Sequence, residues 1–124
     1  MRPGSYRVIF DPDTIAEDLA HATKAAREIG EQAVARLQRD GIPKDLIYAC
    51  NAEGQDGTRL PGCAKTYLPA PDGRCGMVFA LRGDEHGHPF MFCLAFGVRH
   101  PPRDSRRPSV YQVAHRRLNA PHNA

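Results

Sequence analysis

Phe90-Met91-Phe92-Cys93-Leu94-Ala95-Phe96 is an apolar run of strand length, and Gly97-Val98-Arg99-His100 follows it directly. A short apolar run bounded by turn residues is typical of a buried strand. Two further strand candidates precede it at residues 64–68 and 76–82, and the segments between the candidates are rich in Gly, Pro and Asp. Such spacing predicts an antiparallel three-stranded meander.

The first half of the chain predicts one more strand and then helix. Tyr6-Arg7-Val8-Ile9-Phe10 alternates as a strand does, and Asp11-Pro12-Asp13-Thr14 has the residues of a helix start. Apolar residues then recur in steps of three or four, at Ile15, Leu19, Ala22, Ala26, Ile29, Ala33 and Leu37. Residues 13 to about 39 therefore form either one long helix or a helical hairpin that is broken near Ile29.

These elements together predict an α+β fold in which the N-terminal strand and the meander form a small twisted sheet. The short apolar run at residues 46–50 adds a strand or a helical turn, and residues 111–118 form a short C-terminal helix. Residues 51–58 are rich in Gly, Asn and Asp and predict a loop. A length of 124 residues fits one domain spanning residues 1–124.

Composition limits the class of protein. With 41% hydrophobic and 25% charged residues and no long apolar run, the sequence predicts a globular protein that does not enter a membrane. No signal-peptide pattern opens it, so we expect a cytoplasmic protein. Its four cysteines lack the short spacing of zinc sites, so we expect buried thiols, no metal and no cofactor.

Charge is unevenly distributed along the chain. The net charge is only +3, but the stretch from Arg99 to Arg117 has six arginines and one acid, a formal charge of +5. A guanidinium group matches phosphate oxygens in geometry and charge. The basic stretch therefore favours RNA as a partner.

The order of elements resembles that of the RelE/ParE superfamily of bacterial toxins. The resemblance covers most of the chain and rests on short motifs: Tyr6 with the residues up to Asp13, residues 59–68, Met77-Val78-Phe79, Phe96-Gly97-Val98-Arg99, and Val110-Tyr111 with residues 114–118. It implies the toxin of a type II toxin–antitoxin system. The implied partners are a cognate antitoxin, the ribosome and its mRNA.

Toxins similar to RelE cleave mRNA in the ribosomal decoding site without a metal, by driving the ribose 2'-hydroxyl onto the neighbouring phosphate. This reaction needs cations around the phosphate, a proton acceptor and a proton donor. The resemblance places Lys65 on a catalytic lysine of the family and Arg99 on its arginine after the Gly-x pair. It places Tyr111 on the C-terminal tyrosine that packs on a base.

The chain departs from the family pattern at three points. Tyr67 stands where the family has a second lysine, and Gly76 stands where it has an arginine, for which Arg74 is the nearest substitute. The separation between Arg99 and Tyr111 is also about six residues longer than in the family pattern. The last difference predicts that Tyr111 is displaced.

Two histidines and a loop of arginines complete the candidate site. His115 lies one helical turn after Tyr111, and imidazole titrates near neutral pH, so His115 is a candidate acid or base. His100 adjoins Arg99. We expect His100 and Arg74 to contact substrate, together with the loop residues Arg103, Arg106 and Arg107.

Simpler roles compete with these. Lys65 is equally compatible with a solvated strand lysine, Tyr111 with a core residue that anchors the last helix, and Arg99 with an ion pair to the acidic N-terminal half. At the level of function, the alternatives are a ParE-like inhibitor of DNA gyrase and a degenerate RelE-fold binding module without catalysis.

Overall fold

The computed structural model describes residues 4–50, 59–69, 75–102 and 104–120. It has an α+β fold, as the sequence predicts. The strands are β1 (Ser5–Phe10), β2 (Ile42–Pro43), β3 (Tyr48–Ala49), β4 (Cys63–Leu68), β5 (Cys75–Gly83) and β6 (Pro89–Val98), and the helices are α1 (Pro12–His21), α2 (Lys24–Asp40) and α3 (Val110–Leu118). A turn of 3₁₀ helix, Lys44–Leu46, precedes β3.

The six strands form one mixed sheet in the order β2-β1-β6-β5-β4-β3. The pairing of β1 with β6 is parallel and every other pairing is antiparallel. The prediction of an N-terminal strand and a three-stranded meander was incomplete, because β2 and β3 extend the sheet at its two edges. β2 has only two residues, too few for an alternating pattern to be visible in the sequence. The strand or helical turn expected at residues 46–50 corresponds to the end of the 3₁₀ turn at Leu46 and to β3.

The helical region is divided between Ala22 and Thr23. Of the two alternatives, one long helix was wrong and two packed helices are confirmed, but the break predicted near Ile29 was misplaced, since α2 continues through Gly30. Thr23 caps α2 by accepting from the Ala26 N–H at 3.2 Å. A single polar cap therefore outweighs the unbroken apolar stripe in setting the boundary.

The sheet separates two apolar layers. One face packs against α1 and α2 through buried residues that include Val8, Phe10, Met77, Phe79 and Phe96. The other face packs against α3, with Val78, Ala80, Leu94, Val110 and Ala114 in its core. Because β5 is covered on both faces, it is buried from Cys75 to Ala80, which explains why its sequence is a continuous apolar run.

A buried ion pair joins these layers at β6. β1 ends opposite Cys93, and beyond that point the Phe96 N–H donates to Asp18 at 2.9 Å. Arg117 of α3 makes two 2.8 Å hydrogen bonds to the Asp18 carboxylate and a third, also of 2.8 Å, to the Leu94 carbonyl. The hydrogen bonds that Arg117 donates to Asp18 raise the pKa of the Arg117 guanidinium. Asp18 and Arg117 thus fix α1 and α3 to the same strand.

The C-terminal helix was correctly predicted from the sequence. Ser109 accepts from the Gln112 N–H at 3.1 Å, and the Gln112 side chain accepts from the Ser109 N–H at 2.9 Å. This reciprocal capping box sets the start of α3 and therefore the position of Tyr111 in its first turn. None of the helices in the described residues is long and apolar enough to cross a membrane.

Candidate functional site

Three residues from distant parts of the chain meet on the α3 face of the sheet. Arg99, which follows β6, donates from Nε to the Tyr111 hydroxyl over 3.1 Å. The Lys65 Nζ lies over the Tyr111 ring, 5.4 Å from its centroid. The long proline-containing connection has therefore not displaced Tyr111, and the expectation of a displacement was wrong.

Tyr67 completes this group. The Arg99 guanidinium lies over the Tyr67 ring, with Cζ 4.0 Å from the centroid, and the Lys65 Nζ is 5.9 Å from the same centroid. We refer to Lys65, Tyr67, Arg99 and Tyr111 as the cation–tyrosine cluster. Its two cations each contact both tyrosine side chains, which restrains their long side chains before any ligand arrives.

Strand register explains why the cluster forms here. Tyr67 pairs with Gly76, and Gly76 pairs with Gly97, so two glycines adjoin Tyr67 across the sheet. The Arg99 stem lies over this gap: a Cβ built on Gly76 would be 3.2 Å from Arg99 Cγ and 3.0 Å from the Thr66 carbonyl oxygen. A side chain at position 76 would therefore compete with Arg99 for the same space.

The cations of the cluster are available to an anion. Among the residues that the structure describes, no carboxylate forms an ion pair with Lys65 or Arg99. An ion pair to the acidic N-terminal half was the alternative role for Arg99, but the arginine that forms such a pair is Arg117, with Asp18. Lys65, Arg99 and Tyr111 are all only partly buried, so a ligand can reach them from solvent.

The two histidines differ in position. His100 is exposed beside the cluster, and its ring centroid is 6.3 Å from that of Tyr111. His115 Nδ1 lies 2.9 Å from the Arg59 carbonyl oxygen and 3.4 Å from the Asn119 side-chain nitrogen. Within the described residues, no hydrogen bond or ring contact joins the His115 side chain to a side chain of the cation–tyrosine cluster.

Of the predicted substrate-binding arginines, only Arg106 and Arg107 lie within the described residues, and Arg107 is engaged away from the cluster. Arg107 donates from Nη1 to the His21 carbonyl at 2.6 Å, at the C-terminal end of α1, where a cation is favoured by the helix dipole. Arg106 is exposed. Arg74 and Arg103 lie outside the described residues.

Tyr48 is a neighbour of the cluster that sequence reasoning missed. Its ring stacks on Tyr67 with a centroid distance of 5.1 Å and an interplanar angle of 28°. Tyr48 pairs with Lys65 across β3 and β4, and cross-strand partners project from the same face of a sheet. The only signal in the sequence was an aromatic residue within a short apolar run, which does not reveal a cross-strand pairing.

A groove of about 780 Å³ borders the two stacked tyrosines on the other side. It lies between the end of α2 and the edge of β4 that extends beyond β3, and Leu37, Ile42 and Leu68 form part of its wall. Tyr48 and Tyr67 line it as well. The groove itself contains neither Lys65 nor Arg99, so the cations belong to the α3 face and the groove to the sheet edge.

The thiols near the cluster are not activated as nucleophiles. Cys50 and Cys63 face each other across β3 and β4, with the Cys50 N–H donating to the Cys63 carbonyl at 3.0 Å. Burial raises the pKa of Cys63 to about 11, and it also raises the pKa of Cys50, against a smaller opposing effect of Lys65. Both therefore remain thiols at neutral pH.

Across residues 4–50, 59–69, 75–102 and 104–120, no three His, Cys, Asp or Glu side chains are grouped to hold a metal ion.

Comparisons with protein-family models, with curated proteins and with solved structures find no match to this chain. The assignment of a function therefore depends on the geometry of the cluster and on the chemistry of its side chains.

Proposed function

We propose that this protein is a ribosome-dependent endoribonuclease of the RelE type, acting as the toxin of a type II toxin–antitoxin system. One observation carries the proposal: Lys65, Arg99 and Tyr111, the three positions that the resemblance to RelE-like toxins singles out, come together from β4, the end of β6 and α3. Lys65 is more than thirty residues from Arg99 in sequence, and Arg99 is 12 residues from Tyr111, so separate elements supply one cationic, tyrosine-lined surface.

The side chains suit a metal-independent transfer at phosphorus. The 2'-oxygen attacks the adjacent phosphorus, the bond from phosphorus to the 5'-oxygen breaks, and the products are a 2',3'-cyclic phosphate and a free 5'-hydroxyl. Arg99 and Lys65 stabilise the charge that accumulates on the phosphorane oxygens. The hydrogen bond from Arg99 to Tyr111 orients both groups before substrate binds.

Proton transfer requires an acceptor for the 2'-hydroxyl proton and a donor for the 5'-oxygen. His100 is the imidazole beside the cluster, and His115 is on the same helix as Tyr111. On this proposal His100 accepts the proton of the 2'-hydroxyl and then donates it to the departing 5'-oxygen, since His115 is engaged with the Arg59 carbonyl. The antitoxin neutralises the protein by covering the cationic surface.

Transcript 5'-end mapping after induced expression in a bacterium tests the proposal. Native protein should produce new in-frame cuts within translated messages. Arg99→Ala should remove them, because loss of one preorganised donor costs about 10²- to 10³-fold in rate. Arg39→Ala is the matched control: it deletes an exposed arginine on α2 that pairs only with its neighbour Asp40. Cuts that persist in both Arg99→Ala and Lys65→Ala would refute the site.

A gyrase inhibitor of the ParE type is the second candidate function. It is favoured by Tyr67 and Gly76, which occupy positions where RelE-like nucleases have cations, and by the Arg99 stem, which fills the space above Gly76. Growth arrest with intact messages and inhibited DNA supercoiling would support it. Absence of arrest would favour a binding module without catalysis.

A further inference from the structure

Tyr48 and Tyr67 form an exposed aromatic pair at the margin of the cation–tyrosine cluster. Their exposed fractions are 48% and 43%, although both rings are large and apolar. A stacked pair held apart from the core leaves aromatic surface in contact with water, which is unfavourable unless a ligand covers it. The pair therefore indicates a binding surface.

The charges around the pair define the ligand. Arg99 lies 4.0 Å and Lys65 5.9 Å from the Tyr67 ring centroid, while no described acid is paired with either cation. A ligand that matches this surface carries flat rings on an anionic chain. Single-stranded RNA has this chemistry, because every base offers a π-face and every linkage a negative charge.

We propose that Tyr48 is the stacking platform for an unpaired base adjacent to the phosphate bound at Lys65 and Arg99. In the sheet order β6-β5-β4-β3, Arg99 approaches Tyr67 from the β6 side and Tyr48 approaches it from the β3 side. Both faces of the Tyr67 ring are thus occupied, and the base stacks on the face of the Tyr48 ring that points away from Tyr67. This inference rests on the proposed function, to which it adds a second base contact, beside the one that the resemblance assigns to Tyr111.

Binding of a short, fluorescently labelled, 2'-O-methylated RNA strand to the full chain tests the platform by fluorescence anisotropy at low salt. Such a strand cannot be cleaved, so the result depends on affinity alone. Tyr48→Ala should weaken binding by about 5- to 150-fold, the effect of losing one base–aromatic stack. Tyr48→Phe should restore the affinity because it keeps the ring. Leu81→Ala is the control, since Leu81 is equally exposed on β5 and should have no effect.

An abasic strand identifies the contact. If Tyr48 stacks on a base, removing that base from the strand should weaken binding to the native chain about as much as Tyr48→Ala does. Combining the abasic strand with Tyr48→Ala should then weaken binding little further. Equal affinity of Tyr48→Ala and native protein would overturn the platform, as would full additivity of the two losses. A native chain that does not bind the strand would also overturn it.

The outcomes separate this inference from the proposed function. In-cell cuts that require Arg99, together with unchanged affinity in Tyr48→Ala, would leave the nuclease intact and remove only the platform. Affinity that depends on Tyr48, without any cuts in messages, would leave a single-strand binding surface and refute the nuclease.

Discussion

Removing the Asp18 carboxylate should destabilise the protein far more than removing the neighbouring Glu17 carboxylate. Asp18 is buried, with 7% of its side chain exposed, and accepts three hydrogen bonds, one from the Phe96 N–H and two from Arg117. Asp18→Ala leaves a partly buried guanidinium without its carboxylate and a buried N–H without an acceptor. Breaking one side of a buried pair costs about 3–5 kcal/mol.

We expect a value near the lower end of this range, about 3 kcal/mol, because the Arg117 side chain remains 20% exposed and water can partly replace the lost partner. Glu17 also approaches Arg117, at 3.7 Å, but it is 63% exposed. Glu17→Ala should therefore cost less than about 1 kcal/mol. The two neighbouring carboxylates on α1 form a matched pair that differs mainly in burial.

Urea denaturation followed by circular dichroism measures both free energies of unfolding. The double variant Asp18→Ala/Arg117→Ala should be less destabilised than the sum of its single variants, because neither charge is left buried and unpaired. Asp18→Asn should lie between native and Asp18→Ala, since it keeps an acceptor for the Phe96 N–H. If Asp18→Ala costs no more than Glu17→Ala, the pair does not fix α1 and α3 to β6.

Three further changes test other parts of the structure. Gly30→Ala should lower the free energy of unfolding by about 1–3 kcal/mol in a thermal or urea melt, because the added Cβ would lie 2.8 Å from the Phe96 ring. Helix propensity alone predicts a gain in stability, and such a gain would contradict the packing of α2 against Phe96. Gly76→Ala should displace Arg99 and reduce the cuts in messages, while circular dichroism confirms a folded chain; undiminished cutting would contradict the position of the Arg99 stem. Burial raises the pKa of Cys93 from 9.0 to about 12. Between these pH values the unfolded chain ionises this thiol and the folded chain does not, so the free energy of unfolding falls as pH rises. Between pH 8 and about 10.5 the native chain should lose about 2 kcal/mol of that free energy relative to Cys93→Ala. If the free energies of unfolding of the two proteins instead change in parallel with pH, the burial of this thiol is refuted.

The sequence predicted the α+β class and the apolar faces, because these depend on local periodicity. The stripe from Ile15 to Leu37 does face the core, and residues 111–118 do lie in α3. Such signals need only neighbouring residues, so they can be read along the chain. The prediction of the boundary between α1 and α2 was wrong because Gly30 suggested a break, whereas α2 begins after its cap at Thr23.

The candidate site, like the fold, was only partly predictable from the sequence. The residue types at Lys65, Arg99 and Tyr111 were available from motifs, but their mutual distances were not. Nor could the sequence reveal that Arg117, within the basic stretch, has a buried carboxylate partner in α1, or that Arg107 contacts the end of that helix. Charge counted along a chain does not distinguish cations that are paired from those that are open to a ligand.

The sequence by itself determined the α+β class, the longer strands and the C-terminal helix, and which residue types are present for phosphate chemistry. Only the tertiary structure decided that Tyr48 stacks on Tyr67 and that Arg99 lies over Gly76, because both contacts arise from the register between strands. Register is set by packing and hydrogen bonding across the whole sheet, and a shift of one residue would move Tyr67 to the opposite face. Local pattern therefore specifies the elements, and non-local pairing specifies the site.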